Sequence, residues 1–255
     1  MTDLTILTGA SRGLGAAMAA QLMHADRELL CLSRHASAAL TAQAEAAGAT
    51  LHQWTVDLAD AETVAARLGD WLQGQDSERF DSATLINNAA VIARIAPLED
   101  CDAPELIAGL RVGLEAPLLL TAAFLRQTRR WRARRDGACK VLNISSGLGR
   151  FAMASQAGYC AVKAGLDHFS RSVALDQAAS EHPARIVSLA PGVIDTDMQT
   201  HLRAADPAHF PDHDRFVQLQ ATGQLDSPAA AAAKVLRYLA RPDFGERPLA
   251  DVRDA

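Results

Sequence analysis

The stretch LTILTGASRGLG, residues 4–15, joins a short apolar run to a segment rich in glycine. Glycine lets the backbone turn tightly and lets a pyrophosphate approach, and the free N–H groups at the start of a following helix attract the anion. These glycines at a strand-to-helix junction therefore predict a dinucleotide-binding turn, with an ordinary β–α turn as the alternative. The candidate contacts are Gly9, Ser11, Arg12, Gly13, Leu14 and Gly15.

Beyond this turn, short apolar runs alternate with longer amphipathic runs that are rich in alanine and leucine. The predicted strands are Leu4–Thr8, Leu29–Leu32, Leu51–Val56, Ala83–Ile86, Lys140–Ile144, Arg185–Leu189 and Leu249–Val252. The predicted helices are Leu14–His24, Ala38–Ala47, Ala61–Gln73, Pro104–Ala133, Ala157–Ala179 and Ala229–Ala240. Such alternation is typical of a parallel sheet with helices on both faces. We expect one α/β domain over residues 1–255, with a lid or a disordered insertion at about residues 196–226.

The composition excludes several classes of protein. The 255 residues carry a formal net charge of -5, which indicates no nucleic-acid partner and no anionic membrane. The basic run RQTRRWRARRDG, residues 126–137, fits the C-terminal end of a helix better than a nucleic-acid site. Four scattered cysteines, no expected signal peptide and no run of membrane length predict a cytoplasmic protein. The histidines lack metal-ligand spacing, so we expect no metal site.

The run LLCLSRHAS, residues 29–37, indicates which nucleotide binds. In dinucleotide folds an acidic residue at the end of the second strand holds the ribose hydroxyls, whereas an arginine there accommodates a 2′-phosphate. Ser33 stands in the place of the acid, Arg34 follows it, and Arg12 could reach the same phosphate from the other side. Guanidinium groups bind phosphate bidentately. The sequence therefore predicts NADP(H) rather than NAD(H), the alternative being that both arginines are solvated surface residues.

A second segment carries the chemistry. VLNISSGLGRFAMASQAGYCAVKAG, residues 141–165, places Ser146 after an apolar strand, and Tyr159 and Lys163 one turn apart on one helix face. A lysine ammonium stabilises a phenolate, so we expect the pKa of Tyr159 to fall toward the working pH and the tyrosine to act as general acid. Ser146 could hydrogen-bond a substrate carbonyl and hold it for hydride attack.

The motifs TGASRGLG (8–15), NNAA (87–90), NISS (143–146), YCAVK (159–163) and PGVIDT (191–196) resemble those of the short-chain dehydrogenase/reductase family. The resemblance covers essentially the whole chain and implies a doubly wound, seven-stranded Rossmann fold with Ser146, Tyr159 and Lys163 as catalytic residues. It implies cofactor contacts from Asp57, Leu58, Asn87, Asn88, Ala89, Tyr159, Lys163, Pro191, Gly192, Val193, Thr196 and Met198. It also implies that Lys163 binds the nicotinamide ribose, and that homodimers or homotetramers assemble through the two long central helices.

The chain departs from this family pattern in RVGLEAPLLL, residues 111–120. Gly113 stands where the family usually has an asparagine that helps hold a water in a proton relay to the lysine. The resemblance therefore leaves open how the relay works in this chain. A protein that senses NADP(H) without turnover is the alternative to an enzyme.

Within the family, SLAPGVIDTDMQ (188–199), ATGQLDSPAAAAAKVL (221–236) and FGERPLADVRDA (244–255) resemble sepiapterin reductases and bacterial benzil reductases. This resemblance implies an NADPH-dependent carbonyl reductase for an aromatic or vicinal-diketone substrate, with a pterin ketone as the alternative. In the pterin case Asp251 would anchor the ring, unless it caps the strand or pairs with Arg253. Besides Ser146 and Tyr159, the expected walls of the substrate pocket are Leu148, Phe151, Met153, Val193, Ile194, Met198 and Phe210.

Overall fold

Seven apolar segments form the strands of one parallel sheet. The computed structural model describes residues 2–134 and 138–254. The strands are β1 (Thr2–Thr8), β2 (Arg27–Ser33), β3 (Thr50–Thr55), β4 (Phe80–Asn87), β5 (Cys139–Ile144), β6 (Arg185–Ala190) and β7 (Leu249–Asp251). Their order across the sheet is β3-β2-β1-β4-β5-β6-β7, and neighbouring strands pair in parallel. The order reverses between β1 and β4, the position at which ligands bind in open α/β sheets.

Helices cover both faces of this sheet. They are α1 (Gly13–Gln21), α2 (Ala38–Ala47), α3 (Ala61–Gln73), α4 (Ala103–Leu110), α5 (Ala116–Gln127), α6 (Arg129–Arg132), α7 (Ala157–Ala178), α8 (Asp197–Arg203), α9 (His213–Ala221) and α10 (Pro228–Leu239). Leu68 of α3 and Phe124 of α5 are fully buried in one apolar cluster, and Met18 of α1 and Val235 of α10 in a second. Two apolar layers confirm the predicted doubly wound Rossmann fold of one domain.

Local signals set several helix boundaries. The hydroxyl of Ser37 accepts a hydrogen bond from the backbone N–H of Leu40 at the start of α2 (3.3 Å). Ser227 accepts one from Ala230 (3.2 Å), and Pro228 opens α10. These caps satisfy amides that have no partner inside the helix. All seven predicted strands form, and their ends lie within a few residues of the predicted ones.

The central helix differs from its prediction. The sequence predicts one helix over Pro104–Ala133, whereas the chain forms α4, a π-helical turn at Arg111–Glu115, α5 and, after a break at Thr128, the short helix α6. At the π turn, Gly113 packs against Val162 of α7. The last three residues of the basic run at 126–137 lie outside the described part of the chain.

The segment Ala103–Gln127 is also long and apolar enough to span a membrane, with a mean hydropathy of 1.5. The expectation that no run reaches membrane length is therefore wrong by length and composition. A helix in the core of a globular protein passes the same test, and this one packs against α3, α7 and β4. Part of its apolar surface is thus used inside the domain, while Ile107 and Leu110 remain exposed.

The segment expected to be a lid or disordered at residues 196–226 contains the two helices α8 and α9. They pack through an apolar cluster of Ile95, Leu202, Phe210 and Phe216, in which the two phenylalanine rings stack with centroids 5.6 Å apart. Phe210 is fully buried there. Its predicted place in the wall of the substrate pocket is therefore wrong, because its ring holds the two helices of this segment together.

Candidate active site

A cavity of about 610 Å³ opens at the carboxyl ends of the strands, where the strand order reverses. Its volume is typical of sites for cofactors and small molecules. The predicted site residues that line it are Gly9, Ser11, Arg12, Gly13, Leu14, Gly15, Ser33, Arg34, Asp57, Leu58, Asn88, Ala89, Ser146, Leu148, Phe151, Met153, Tyr159, Lys163, Pro191, Gly192, Val193, Ile194, Thr196 and Met198. Asn87, Phe210 and Asp251 do not line it.

The turn between β1 and α1 leaves no room for a side chain at Gly9 or Gly15. Gly9 has a φ of +72°, in the left-handed region that glycine favours. A Cβ atom on Gly15 would lie 2.0 Å from the carbonyl oxygen of Gly9, so a larger residue would displace the backbone. The amide of Asn88 fixes the turn by donating hydrogen bonds to the carbonyls of Thr8 (3.0 Å) and Gly9 (3.3 Å). This bare backbone before a helix N-terminus fits the pyrophosphate of a dinucleotide.

The two arginines predicted to bind a 2′-phosphate have different surroundings. Ser33 is buried and donates its hydroxyl to the carbonyl of His35 (2.8 Å). The next residue, Arg34, is exposed and lines the cavity. Within the described part of the chain, Arg34 has no ion-pair partner. Arg12 donates to the carboxylate of Asp197 at 2.9 Å. Both partners of that pair are mostly exposed, so the pair is weak.

The side chain of Asn87 is hydrogen-bonded inside the fold. It is buried, and its Nδ2 atom donates to Oγ1 of Thr121 (3.2 Å) and to Oδ1 of Asn143 (2.8 Å). These bonds tie β4 to α5 and to β5. Asn87 itself does not line the cavity, whereas its neighbours Asn88 and Ala89 do, and the predicted contact of Asn87 with the cofactor stays a prediction.

Ser146, Tyr159 and Lys163 meet at the cavity. Ser146 follows β5, and its Oγ accepts the backbone N–H of Leu148 at 3.2 Å. Tyr159 and Lys163 lie one turn apart on α7. The hydroxyl of Tyr159 lies 3.9 Å from Sδ of Met198, and Nζ of Lys163 donates to the carbonyl of Ile144 at 2.8 Å. The strand end and the helix thus bring a hydroxyl, a phenol and an amine together.

Burial dominates the protonation of this group. Burial raises the pKa of Tyr159 to about 12, and a hydrogen bond with the Ser146 hydroxyl lowers it by a smaller amount. Burial lowers the pKa of Lys163 to about 8, and the carboxylate of Asp167 raises it by a smaller amount. The expectation that Lys163 depresses the pKa of Tyr159 is therefore wrong for the protein without ligand, because Nζ binds the Ile144 carbonyl and desolvation of the phenolate dominates. Lys163 is the member of the pair that titrates near neutral pH.

The carboxylate of Asp251 is hydrogen-bonded to Arg253, two residues further along the chain. Its Oδ1 accepts hydrogen bonds from the backbone N–H (2.9 Å) and Nε (2.8 Å) of Arg253, and its Oδ2 accepts one from Nη2 (2.6 Å). The side-chain bonds from Arg253 lower the pKa of the Asp251 carboxyl. Arg253 lines the cavity and Asp251 does not. The pairing of Asp251 with Arg253 is confirmed, and the expected substrate contact of Asp251 stays a prediction.

Sequence reasoning missed two buried amides that line the cavity, Gln156 and Gln199. Nε2 of Gln156 and Oε1 of Gln199 have no hydrogen-bond partner among the described residues. Gln156 stands three residues before Tyr159, a spacing that could have identified it. Gln199 lies in α8, and the sequence around it gave no helix signal.

The walls around the catalytic group are apolar, as Leu148, Met153, Ile194 and Met198 illustrate. Phe151 is 71% exposed, an unusual position for a large aromatic ring, and it lines the cavity. Among the described residues, no group of three His, Cys, Asp or Glu side chains could hold a metal ion. The cavity therefore combines a polar glycine turn with an apolar pocket.

Comparison with known sequences identifies the family to which the chain belongs. The family described as short chain dehydrogenase matches residues 3–207. Benzil reductases ((S)-benzoin forming) of Bacillus cereus and Bacillus subtilis are similar, with 33% identity over 94% of both chains and 35% over 93% of both chains, respectively. A sepiapterin reductase of Xenopus laevis is 34% identical over 80% of this chain and 79% of its own.

Two solved structures with NADP are also similar to this chain. A metagenomic short-chain oxidoreductase in complex with NADP has a TM-score of 0.72 and 25% identity, and the match covers 98% of this chain and 94% of the other. A putative 2-deoxy-d-gluconate 3-dehydrogenase of Agrobacterium tumefaciens with bound NADP has a TM-score of 0.77, 25% identity and the same coverage.

Proposed function

Because this chain belongs to the short-chain dehydrogenase/reductase family of oxidoreductases, we propose that it is an NADPH-dependent carbonyl reductase for aromatic ketones and vicinal diketones. The observation that carries the proposal is the meeting of Ser146, Tyr159 and Lys163 at one cavity with the glycine turn and Arg34. A non-catalytic NADP(H) sensor would not need these three groups together.

Ser146 and Tyr159 each have one task in the proposed reaction, and Lys163 has two. When bound, NADPH supplies a hydride to the carbonyl carbon of the substrate. Ser146 holds and polarises the carbonyl oxygen by a hydrogen bond. Tyr159, protonated because burial raises its pKa to about 12, donates the proton that turns this oxygen into a hydroxyl. Lys163 holds the nicotinamide ribose and, while charged, stabilises the phenolate that Tyr159 becomes.

The proposed cofactor preference rests on Arg34. The exposed guanidinium stands at the end of β2, where an acidic residue would favour NAD(H). The NADP bound to the two similar solved structures supports the same choice.

The proposed substrate class rests on the pocket walls and on the relatives. Apolar side chains such as Leu148 and Phe151 bury aromatic rings better than the hydroxyls of a sugar. The benzil reductases of two Bacillus species support a vicinal diketone with aromatic substituents.

Sepiapterin reduction is the second candidate, because a Xenopus sepiapterin reductase is among the relatives. The pairing of Asp251 with Arg253 argues against it, since Arg253 already donates three hydrogen bonds to this carboxylate, which does not line the cavity. Measuring kcat/KM for benzil and sepiapterin side by side tests the proposal, with benzil expected to be the better substrate. Asp251→Ala should leave the KM for benzil nearly unchanged. A preference for sepiapterin that collapses in this variant would establish the second candidate instead.

The proposed assembly is a homodimer or homotetramer through the two long helices. It is supported by exposed apolar side chains on α4 and α7, namely Ile107, Leu110 and Leu175. Light scattering of the purified protein distinguishes these assemblies from a monomer.

A further inference from the structure

Asp167 is a buried carboxylate that the proposed reaction does not use. It lies on α7 and is 2% exposed. Its Oδ1 accepts hydrogen bonds from the hydroxyls of Ser145 and Ser188, each at 2.6 Å. Its Oδ2 accepts one from Nε of Arg150 at 3.3 Å. A buried carboxylate is costly unless it is paired in this way, so its position calls for an explanation.

The three donors come from three different parts of the site. Ser145 directly precedes Ser146 at the end of β5, and Ser188 lies in the neighbouring strand β6. Arg150 lies in the loop that follows Ser146, and its Nη2 also donates to the carbonyl of Ala250 in β7 at 2.9 Å. The carboxylate therefore fixes both sides of Ser146 and connects them to the last two strands.

The loop after Ser146 also packs tightly on the helix at this point. A Cβ atom on Gly149 would lie 2.9 Å from Oδ2 of Asp167 and 2.9 Å from the carbonyl oxygen of Lys163. Only a glycine allows this approach without a shift of the backbone. The loop that carries Ser146 is thus held against the turn of α7 that contains Lys163 and Asp167.

Asp167 also supplies charge to the reacting group. It lies one helical turn after Lys163, and its carboxylate favours the ammonium form against the larger effect of burial, which lowers the pKa of Lys163 to about 8. Three further ionisable groups lie near Lys163 and Asp167. They are Tyr159 on the same helix, Arg150, which donates to Oδ2 of Asp167, and the Asp251–Arg253 pair, which lies next to Arg150.

We propose that Asp167 is the positioning residue of the catalytic group: its buried carboxylate fixes the segment that carries Ser146 and holds a negative charge one helical turn behind Lys163. The proposal rests on the function proposed above. Asp167 thus has two roles: it fixes the position of Ser146, and it favours the charged form of Lys163.

The test is the pH profile of kcat/KM for benzil reduction with saturating NADPH. Asp167→Asn keeps an acceptor for the two serine hydroxyls but removes the charge. We expect Lys163 to lose its proton at lower pH, so the alkaline limb should move down by roughly one pH unit. Arg150→Gln, which keeps the carboxylate and removes its cation, should move the limb upward. A merely structural role would reduce kcat/KM equally at every pH.

Asp176→Asn is the matched control, because it removes an exposed carboxylate from the same helix. Its pH profile should coincide with that of the wild type. The proposal is overturned if the limbs of Asp167→Asn and Arg150→Gln coincide with that of this control. If Asp167→Asn does not fold, Arg150→Gln alone tests the proposal, which is overturned if its alkaline limb does not move to higher pH.

A second measurement needs no turnover. The folded pKa of Lys163 lies below its unfolded value, so the unfolded chain binds more protons between the two values and stability rises with pH there. In Asp167→Asn, the rise of Tm with pH should begin at lower pH than in Asp176→Asn. If the wild type reduces no ketone, the proposed function fails, and an unchanged onset of the Tm rise would then reject the proposal on Asp167 separately.

Discussion

At the scale of single residues, the proposed preference for NADPH rests on Arg34. Its guanidinium is exposed at the cavity without an ion-pair partner among the described residues, whereas Arg12 forms an exposed ion pair with Asp197 at 2.9 Å. A charge-assisted hydrogen bond contributes about 1.5–3 kcal/mol, and about 1.4 kcal/mol is a factor of ten in affinity. The wild type should therefore bind NADPH more than about tenfold tighter than NADH.

Substitution of Arg34 tests this preference by fluorescence titration of both cofactors. Arg34→Asp should erode or reverse the preference, because a carboxylate repels the 2′-phosphate and accepts the ribose hydroxyls of NADH. Arg12→Ala is the comparison variant and should have the smaller effect. Equal dissociation constants of the wild type for NADPH and NADH would contradict the assignment.

At the scale of secondary-structure elements, the π-helical turn at Arg111–Glu115 explains the glycine that departs from the family pattern. A Cβ atom on Gly113 would lie 2.5 Å from Cγ1 of Val162, which directly precedes Lys163 on α7. The valine methyl therefore fills the space into which a side chain at position 113 would extend. An asparagine there would require the side chain of Val162 to shift, and this chain has no amide side chain at position 113 to hold a relay water.

Three alanine variants test the contact between these two elements. Alanine normally stabilises a helix by about 1 kcal/mol relative to glycine, but overpacking costs about 1–3 kcal/mol. Gly113→Ala should therefore lower Tm in the wild type and raise it in a Val162→Ala background. The control is Gly109→Ala, whose Cβ would meet only the carbonyl of Val91 at 3.8 Å, and it should not lower Tm. Additive effects at positions 113 and 162 would contradict the contact.

At the scale of the whole molecule, the sheet and most helices could be predicted because their signals are local. Continuous apolar runs such as residues 140–144 indicate strands buried on both faces, and Gly9 and Gly15 mark the turn between β1 and α1. The helices α8 and α9 could not be predicted in this way. They depend on the packing of Phe210 and Phe216, which are far from Ile95 in the sequence.

The candidate site shows the same limit. Spacing alone brought Ser146, Tyr159 and Lys163 together, because a strand end and one helix face are local features. Partners that come from elsewhere were not foreseen, such as Asp197 for Arg12 and Asp167 for the hydroxyls beside Ser146. The raised pKa of Tyr159 was also missed, because desolvation depends on the whole fold around the phenol.

The most direct test of the account is the rate of NADPH consumption with benzil by the wild type, Tyr159→Phe and Tyr238→Phe. The chain has two tyrosines, and Tyr238 is buried away from the cavity, so its variant is the matched control. The wild type and Tyr238→Phe should reduce benzil at similar rates. Tyr159→Phe should bind NADPH normally and lose about 10²–10⁴-fold in kcat, because only the proton donor is removed. The account is contradicted if the wild type consumes no NADPH with benzil, or if Tyr159→Phe keeps more than about a tenth of the wild-type kcat.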